Sequence, residues 1–313
     1  MSPDPHDASS LTAAGDARLL VLGEARILQP GMLRWLRAVA WAIALLALTI
    51  VVATAVPLLC GRLLAPGAGG PLASFATAVT AAILYAVAVR LGERRWPAEL
   101  AWRAAPSQLA GGLLLGAAMF AAVMALMAAL GVYAIRWTGP APLWGPLGKA
   151  LQAGVVEELM LRAILLRLLW RAFGPWLAFA LSAALFGLAH LGNPNASVFA
   201  ALCIAVEAGI MLGAFYVLTG RLWVSIGVHA AWNFTQGYLF GAAVSGTDMG
   251  PAIARSTVQA GVPDWLSGGA FGPEASLPGL LVCTVVGALA TWVAWRKGRF
   301  GTPARGAGST PAA

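Results

Sequence analysis

Apolar residues run along this chain in long uninterrupted blocks. They lack the alternation that a half-solvated strand or a surface helix would show. Eight blocks stand out: Val39–Leu59, Leu72–Leu91, Leu109–Ile135, Leu147–Trp170, Trp176–Leu191, Ser197–Leu218, Leu222–Val244 and Leu277–Trp295. A membrane-crossing helix needs about 20 mostly apolar residues, so each block predicts a span, the fifth a short one. Gly/Pro clusters at Ala65–Pro71, Gly139–Pro146 and Gly192–Pro194 separate them, as turn chemistry requires. The prediction is an all-α fold, a polytopic membrane helix bundle of about eight transmembrane helices. A polar N-terminal tail (1–37) precedes the helical domain (38–296), and a short tail (297–313) follows it.

Composition agrees. Of 313 residues, 60% are hydrophobic and 10% are charged, against about 25% charged in soluble domains. This excludes a soluble globular, disordered, disulfide-scaffold or coiled-coil chain. The net charge of +8 would suit nucleic acid, but in an apolar chain basic residues gather in cytoplasmic loops. With the N-terminus cytoplasmic, 15 basic residues from Arg18 to Arg305 fall inside, and Arg62, Arg136, Lys149 and Arg255 fall outside. That bias predicts an inner-membrane, multi-pass protein with both termini cytoplasmic and the lipid bilayer, not nucleic acid, as its partner. The composition suggests a bacterial source. The three cysteines lie in or beside apolar blocks without a CxxC pair and read as buried thiols. Of the 13 tryptophans, Trp35, Trp96, Trp102, Trp170, Trp176 and Trp223 flank span ends, as interface anchors do. The N-terminus lacks the shape of a cleavable signal peptide. Both tails read as disordered, and the long connection 245–276 as a disordered loop or a lid.

Several polar residues interrupt the apolar blocks. Ionisable groups at membrane depth are expensive and by default point to function. The fourth block carries Glu157, Glu158 and Arg162. The fifth ends on Phe186-Gly187-Leu188-Ala189-His190. The sixth holds Glu207, and the seventh His229-Ala230-Ala231-Trp232-Asn233. Glu158 and Arg162, Phe186 and His190, and His229 and Asn233 are each four apart, so each pair shares a helix face. If these faces converge, the groups suit hydrolysis. A carboxylate beside a histidine can deprotonate a water. A second histidine and an amide can donate to a developing oxyanion. Two histidines and a glutamate (Glu157, His190, His229) also make a plausible zinc set, although HExxH spacing is absent. The residues leave both readings open, and no cofactor is assigned. Gly209 and Gly213 predict close helix packing.

The ordered set Glu-Glu-x-x-x-Arg, Phe-x-x-x-His and His-x-x-x-Asn resembles the CAAX prenyl protease and bacteriocin-processing (Abi) family of intramembrane proteases. Its motifs cover about 147–236. The spans before and after carry none. The resemblance implies an eight-helix core with an intramembrane cavity open to membrane and cytoplasm, and endopeptidase activity on a peptide or lipidated protein substrate. It implies that Glu157 and His190 activate the water. Glu158 and Arg162 would support Glu157, and His229 and Asn233 would stabilise the oxyanion. Phe186 and Trp232 would wall the site. Glu207 would bridge to a motif histidine or line the entrance. Family members are described as metal-dependent or as glutamate proteases, so a divalent metal stays open. Non-proteolytic self-immunity or a membrane scaffold is the alternative function. A proton- or ion-coupled transporter is a weaker one, because transporters often show internal repeats and none is apparent.

Overall fold

The computed structural model describes residues 20–64 and 69–301; the outermost parts of both tails and part of the first Gly/Pro cluster lie outside the described residues. Eight helical rods follow one another. They are α1 (Arg34–Leu63), α2 (Gly69–Glu93), α3 (Ala105–Ala129), α4 (144–173), α5 (Pro175–Ala189), α6 (Val198–Thr219), α7 (223–239) and α8 (Leu277–Arg296). Six of the eight are long and apolar enough to cross a membrane. The two that fall short are α4, which carries six ionisable residues, and α7, which is brief. Large aliphatic side chains such as Ile43, Val79, Leu114, Leu188 and Val285 point outward, as a lipid-facing surface demands.

Alternating rods bring the connections to two ends. At one end, Arg26 Nη1 donates to Leu91 O at 2.6 Å, Trp223 Nε1 to Ala101 O at 3.0 Å, and Arg171 to Leu28 O. Phe300 stacks on Trp176 with ring centroids 4.2 Å apart. Arginines crowd this end, as the charge pattern predicts. Trp102 and Trp223 stack there at 5.2 Å. Trp170 departs from the anchor expectation: it is buried against Phe300 inside the bundle.

The other end differs from the sequence reading. The third block does not continue as helix to Ile135. Helix α3 stops at Ala129, and Tyr133–Trp137 forms strand β1, which pairs antiparallel with β2 (Ala254–Val258). Gly131, at φ +71°, makes the intervening turn. The connection 245–276 is therefore folded, not disordered. Beyond the ribbon it holds a short helix, Asp264–Ser267, and a buried turn, Pro273–Ala275, that leads into α8.

Small residues let the inner rods approach closely. A Cβ on Gly209 would sit 2.7 Å from the Ala183 Cα on α5, closer than carbon atoms approach, so a side chain there would push α5 and α6 apart. Gly213 faces Phe179 of the same helix. Both match the close-packing prediction.

Candidate active site

Three rods, α4, α6 and α7, share a local departure from regular helix. Residues Leu159–Leu166, Ala205–Leu212 and Thr235–Leu239 form widened π-type turns. Such turns loosen the backbone ladder and recur at functional sites. The carbonyls they free find side-chain donors instead. Ser182 Oγ donates to Leu161 O at 3.1 Å, Ser225 Oγ to Leu212 O at 2.9 Å, and Arg162 Nη2 to Ala208 O. The first two widened segments carry polar residues of the site, Arg162 and Glu207; the third carries Gln236, which donates to Ala243 O at 2.6 Å.

At the centre is Glu158, fully buried on α4. Its Oε1 accepts from Arg162 Nη1 at 3.0 Å and pairs with His229 Nδ1 of α7 at 2.9 Å. The other face of that imidazole looks to the neighbouring acid: His229 Nε2 lies 3.8 Å from Glu157 Oε2. The Glu157 side chain is 33% exposed, so it is the accessible acid of the pair. The Arg162 guanidinium also lies over the Phe186 ring, 5.1 Å from its centroid, a cation–π contact strengthened by burial. Phe186 in turn packs edge-on against His190 at 4.8 Å. His190 Nδ1 meets the Phe186 carbonyl at 2.9 Å. A carbonyl only accepts, so Nδ1 is the donor here.

One cavity lies against this cluster, reached through His229 and Phe186; Glu157, Glu158 and Arg162 are not among its lining residues. It is lined by Phe186, His190, Glu207, His229, Trp232 and Asn233, with Met211, Leu212 and Val228 deeper and Ser245 and Glu274 beside His190. Asn233 forms no side-chain hydrogen bond among the described residues, so its amide remains available. Trp232 walls the cavity and meets Phe120 edge-on at 5.0 Å. The three sequence motifs therefore converge, with Phe186 and Trp232 as walls.

Two pairings differ from those the resemblance implies. Glu157 makes no direct contact with His190; its histidine neighbour is His229. Glu158 and Arg162 do not hydrogen-bond to Glu157; Arg162 pairs with Glu158, which in turn engages His229. The metal set fares differently again. Among the described residues no group of three or more His, Cys, Asp or Glu side chains is gathered to hold a metal ion. The Glu158 carboxylate on His229 Nδ1 leaves Nε2 open, the arrangement that second-shell carboxylates give to metal-binding histidines, so this contact does not itself decide against a metal.

Glu207 bonds to neither motif histidine. It is buried on α6, lines the cavity and leaves Oε1 without a hydrogen-bond partner. Facing it is Glu274, which the sequence reading passed over. Glu274 Oε1 accepts from the Ser245 backbone N–H at 2.5 Å and from Ser245 Oγ at 2.9 Å. Burial pushes the Glu274 carboxyl above the ordinary range, and the Ser245 hydrogen bonds only partly offset this. Asn193 Nδ2 donates to Ser245 O at 3.1 Å, which ties the turn after His190 to the same loop. Gly246 completes the junction: at φ +77° its backbone lies against Pro194 O, where a Cβ would collide. The missed signal was an acid immediately before an apolar block, Pro273-Glu274-Ala275-Ser276, in a chain with 12 acids in all.

Comparison with known proteins gives one match. Residues 139–235 match the family model for type II CAAX prenyl endopeptidase Rce1-like. Neither the curated proteins nor the solved structures yield a match. The matched segment runs from the turn before α4 through Asn233 and so contains all three motifs. Over residues 139–235, this chain is similar to the type II CAAX prenyl endopeptidase Rce1-like family.

Proposed function

We propose that the protein is an intramembrane endopeptidase in which Glu157 activates the attacking water. The observation that carries this reading is the arrangement around His229, with Glu158 on one ring nitrogen and the accessible Glu157 facing the other. Glu158, fixed by Arg162, orients the imidazole, as a third group orients a catalytic base in other hydrolases. With an imidazolium at His229, the two carboxylates, the guanidinium and the imidazole sum to zero charge. That balance suits a buried cluster, where unpaired charge is expensive.

The chemistry follows from these positions. A water hydrogen-bonded to Glu157 gives its proton to the carboxylate as its oxygen attacks the peptide carbonyl. The carbonyl oxygen becomes an oxyanion, which His229 Nε2–H and the free Asn233 amide stabilise. His190, which lines the cavity, takes part in placing the water. As the tetrahedral intermediate collapses, protonated Glu157 returns the proton to the leaving amine. The apolar cavity floor and the surrounding rods keep bulk water away, which strengthens each of these interactions. The family match supports a peptide or prenylated protein substrate near the bilayer.

The test is cleavage of a peptide library by purified full-length protein in nanodiscs, read by mass spectrometry with and without a strong chelator. Cleavage at defined bonds that persists under chelation is the expected result. Cleavage lost on chelation would replace the glutamate mechanism with a metal-dependent one. A folded protein that cleaves no peptide would favour the non-proteolytic self-immunity or scaffold role.

A further inference from the structure

We infer that Glu207 and Glu274 form a cation-binding subsite in the cavity, which takes a basic side chain, lysine or arginine, of the peptide beside the bond to be cut. This rests on the peptidase reading above and adds the chemistry by which the substrate is chosen. Glu274 lies outside the segment 139–235 that matches the family model.

Among the described residues five glutamates are buried: Glu93, Glu99, Glu158, Glu207 and Glu274. The first three meet cationic partners. Arg167 and Arg95 pair with Glu93, Arg95 also pairs with Glu99, and Arg162 pairs with Glu158. The last two line the cavity, and no lysine or arginine lines it with them. Its basic residues are His190 and His229, and Glu158 already engages His229 at 2.9 Å. Buried acids without a cation are costly, so this pair is short of positive charge.

The pair is also short of donors. Glu207 is 4% exposed, and its Oε1 has no hydrogen-bond partner. Gln236 does not supply one: its Nε2 gives to Ala243 O at 2.6 Å, and its own Oε1 is buried without a partner. A Cβ on Gly279, in the first turn of α8, would come within 3.0 Å of Glu207 Oε1, so glycine there keeps this oxygen uncrowded. On the other acid, Ser245 holds Glu274 Oε1 through its N–H and its hydroxyl. That fixes one carboxyl in place while the other stays unsatisfied.

An ammonium or a guanidinium answers both shortages. It brings charge together with three or five N–H donors, and its hydrogen bonds to carboxylates are stronger than neutral ones. A metal ion fits less well, because no group of three or more His, Cys, Asp or Glu side chains is gathered for one among the described residues. The apolar lining suits the rest of such a side chain. Ile204, Ala208 and Met211 flank Glu207 in the cavity, and lysine and arginine carry apolar stems below a charged head. His229 and Asn233 line the same cavity. A peptide carbonyl held by those two donors therefore has a neighbouring side chain within the reach of the acids.

Side-chain preference in the full-length protein in nanodiscs tests this. Peptides with acetylated N-termini, so that no terminal amine competes, are screened for cleavage by mass spectrometry. Each cut peptide is then remade with lysine, arginine or norleucine at the residues flanking the bond; norleucine keeps the lysine stem without its charge. At one flanking position the basic residue should exceed norleucine in kcat/KM by about tenfold or more, the worth of one charge-assisted hydrogen bond. Glu207→Gln should bring that ratio close to one. Glu274→Gln should lower it too, which keeps the test open if one variant misfolds. No basic preference in the wild type, or the same preference in both variants, would overturn the inference. Where no peptide is cut, the melting temperature decides, measured with n-butylamine hydrochloride and with n-butanol as the neutral control. A rise with the amine alone that Glu207→Gln abolishes would remove the peptidase reading and leave the subsite standing. In that case, no amine-specific rise in the wild type would overturn the subsite as well. Cleavage without basic preference would leave the peptidase reading standing alone.

Discussion

Helix α4 passes through two buried ionic clusters built from the same residue types, and they are finished differently. Toward the arginine-rich end, Arg167 and Arg95 meet Glu93 and Glu99 in two-pronged pairs, with Trp41 Nε1 also donating to Glu93 at 2.9 Å. No side-chain polar atom of these four charged residues or Tyr85 lacks a partner. Midway along the helix, Glu157 Oε2, Glu158 Oε2 and Arg162 Nε are buried without hydrogen bonds, as are Glu207 Oε1 and Gln236 Oε1 across the cavity. A buried polar atom left unsatisfied costs about 1–3 kcal/mol. The first cluster has spent its hydrogen-bonding capacity on the fold. The second retains capacity that a substrate and a water can use. An ion pair buried in a membrane helix is thus not by itself a sign of chemistry; the unfinished one is.

This contrast orders the expected effects of substitution. Glu157→Gln removes the base while keeping shape, so turnover should fall by roughly 10²–10⁴-fold with an unchanged melting temperature. Melting curves and rates on the same sample check both halves. His229→Ala should lower kcat by roughly 100-fold as an oxyanion donor is lost; a change confined to KM would reassign it to binding. Arg167→Ala should destabilise the protein by about 3–5 kcal/mol, because it strands Glu93 in the core. Turnover per folded molecule should not change. Arg162→Ala should cost stability by a similar mechanism and also turnover, since Glu158 would no longer hold His229. If Arg167→Ala instead slowed the chemistry, the two clusters would not be separable in the way proposed.

The smallest effect concerns the 245–276 connection. The raised folded pKa of Glu274 means that the native state holds its proton more tightly than the unfolded chain does. Its contribution to stability is full below the ordinary carboxyl range and is lost as pH rises through the folded value. Glu274→Gln keeps an acceptor for Ser245 and removes the titration. Hydrogen exchange in 245–276 should then become independent of pH in that range, once corrected for intrinsic exchange. An unaltered dependence would place the titrating group elsewhere.

Much of this was legible in the sequence, for a physical reason. Spans are written in uninterrupted apolar residues, and charge within them is rare enough to stand out. Glu157, Glu158, Arg162, His190, His229 and Asn233 were visible on those grounds, and their four-residue spacings gave the faces. Which imidazole meets which carboxylate was not visible, because that depends on how three helices rotate against one another. The widened turns on α4, α6 and α7 had no sequence mark either, since they arise from tertiary donors such as Ser182, Ser225 and Arg162. The β1–β2 ribbon was misread because Tyr133–Trp137 continues an apolar block, and its strand pairing comes from Ala254–Val258, more than a hundred residues away. Glu274 was hidden for the same reason: in a connection, an acid looks like solvent-facing loop until the loop is seen to fold back over the cavity.

The account rests on Glu157 as the group left free to do chemistry. The most direct test is the single-turnover cleavage rate of the Glu157→Gln protein in nanodiscs, on a peptide that the wild type cuts. A loss of at least two orders of magnitude, with the fold intact, is the predicted result. Cleavage at the wild-type rate would contradict it and move the catalytic centre elsewhere.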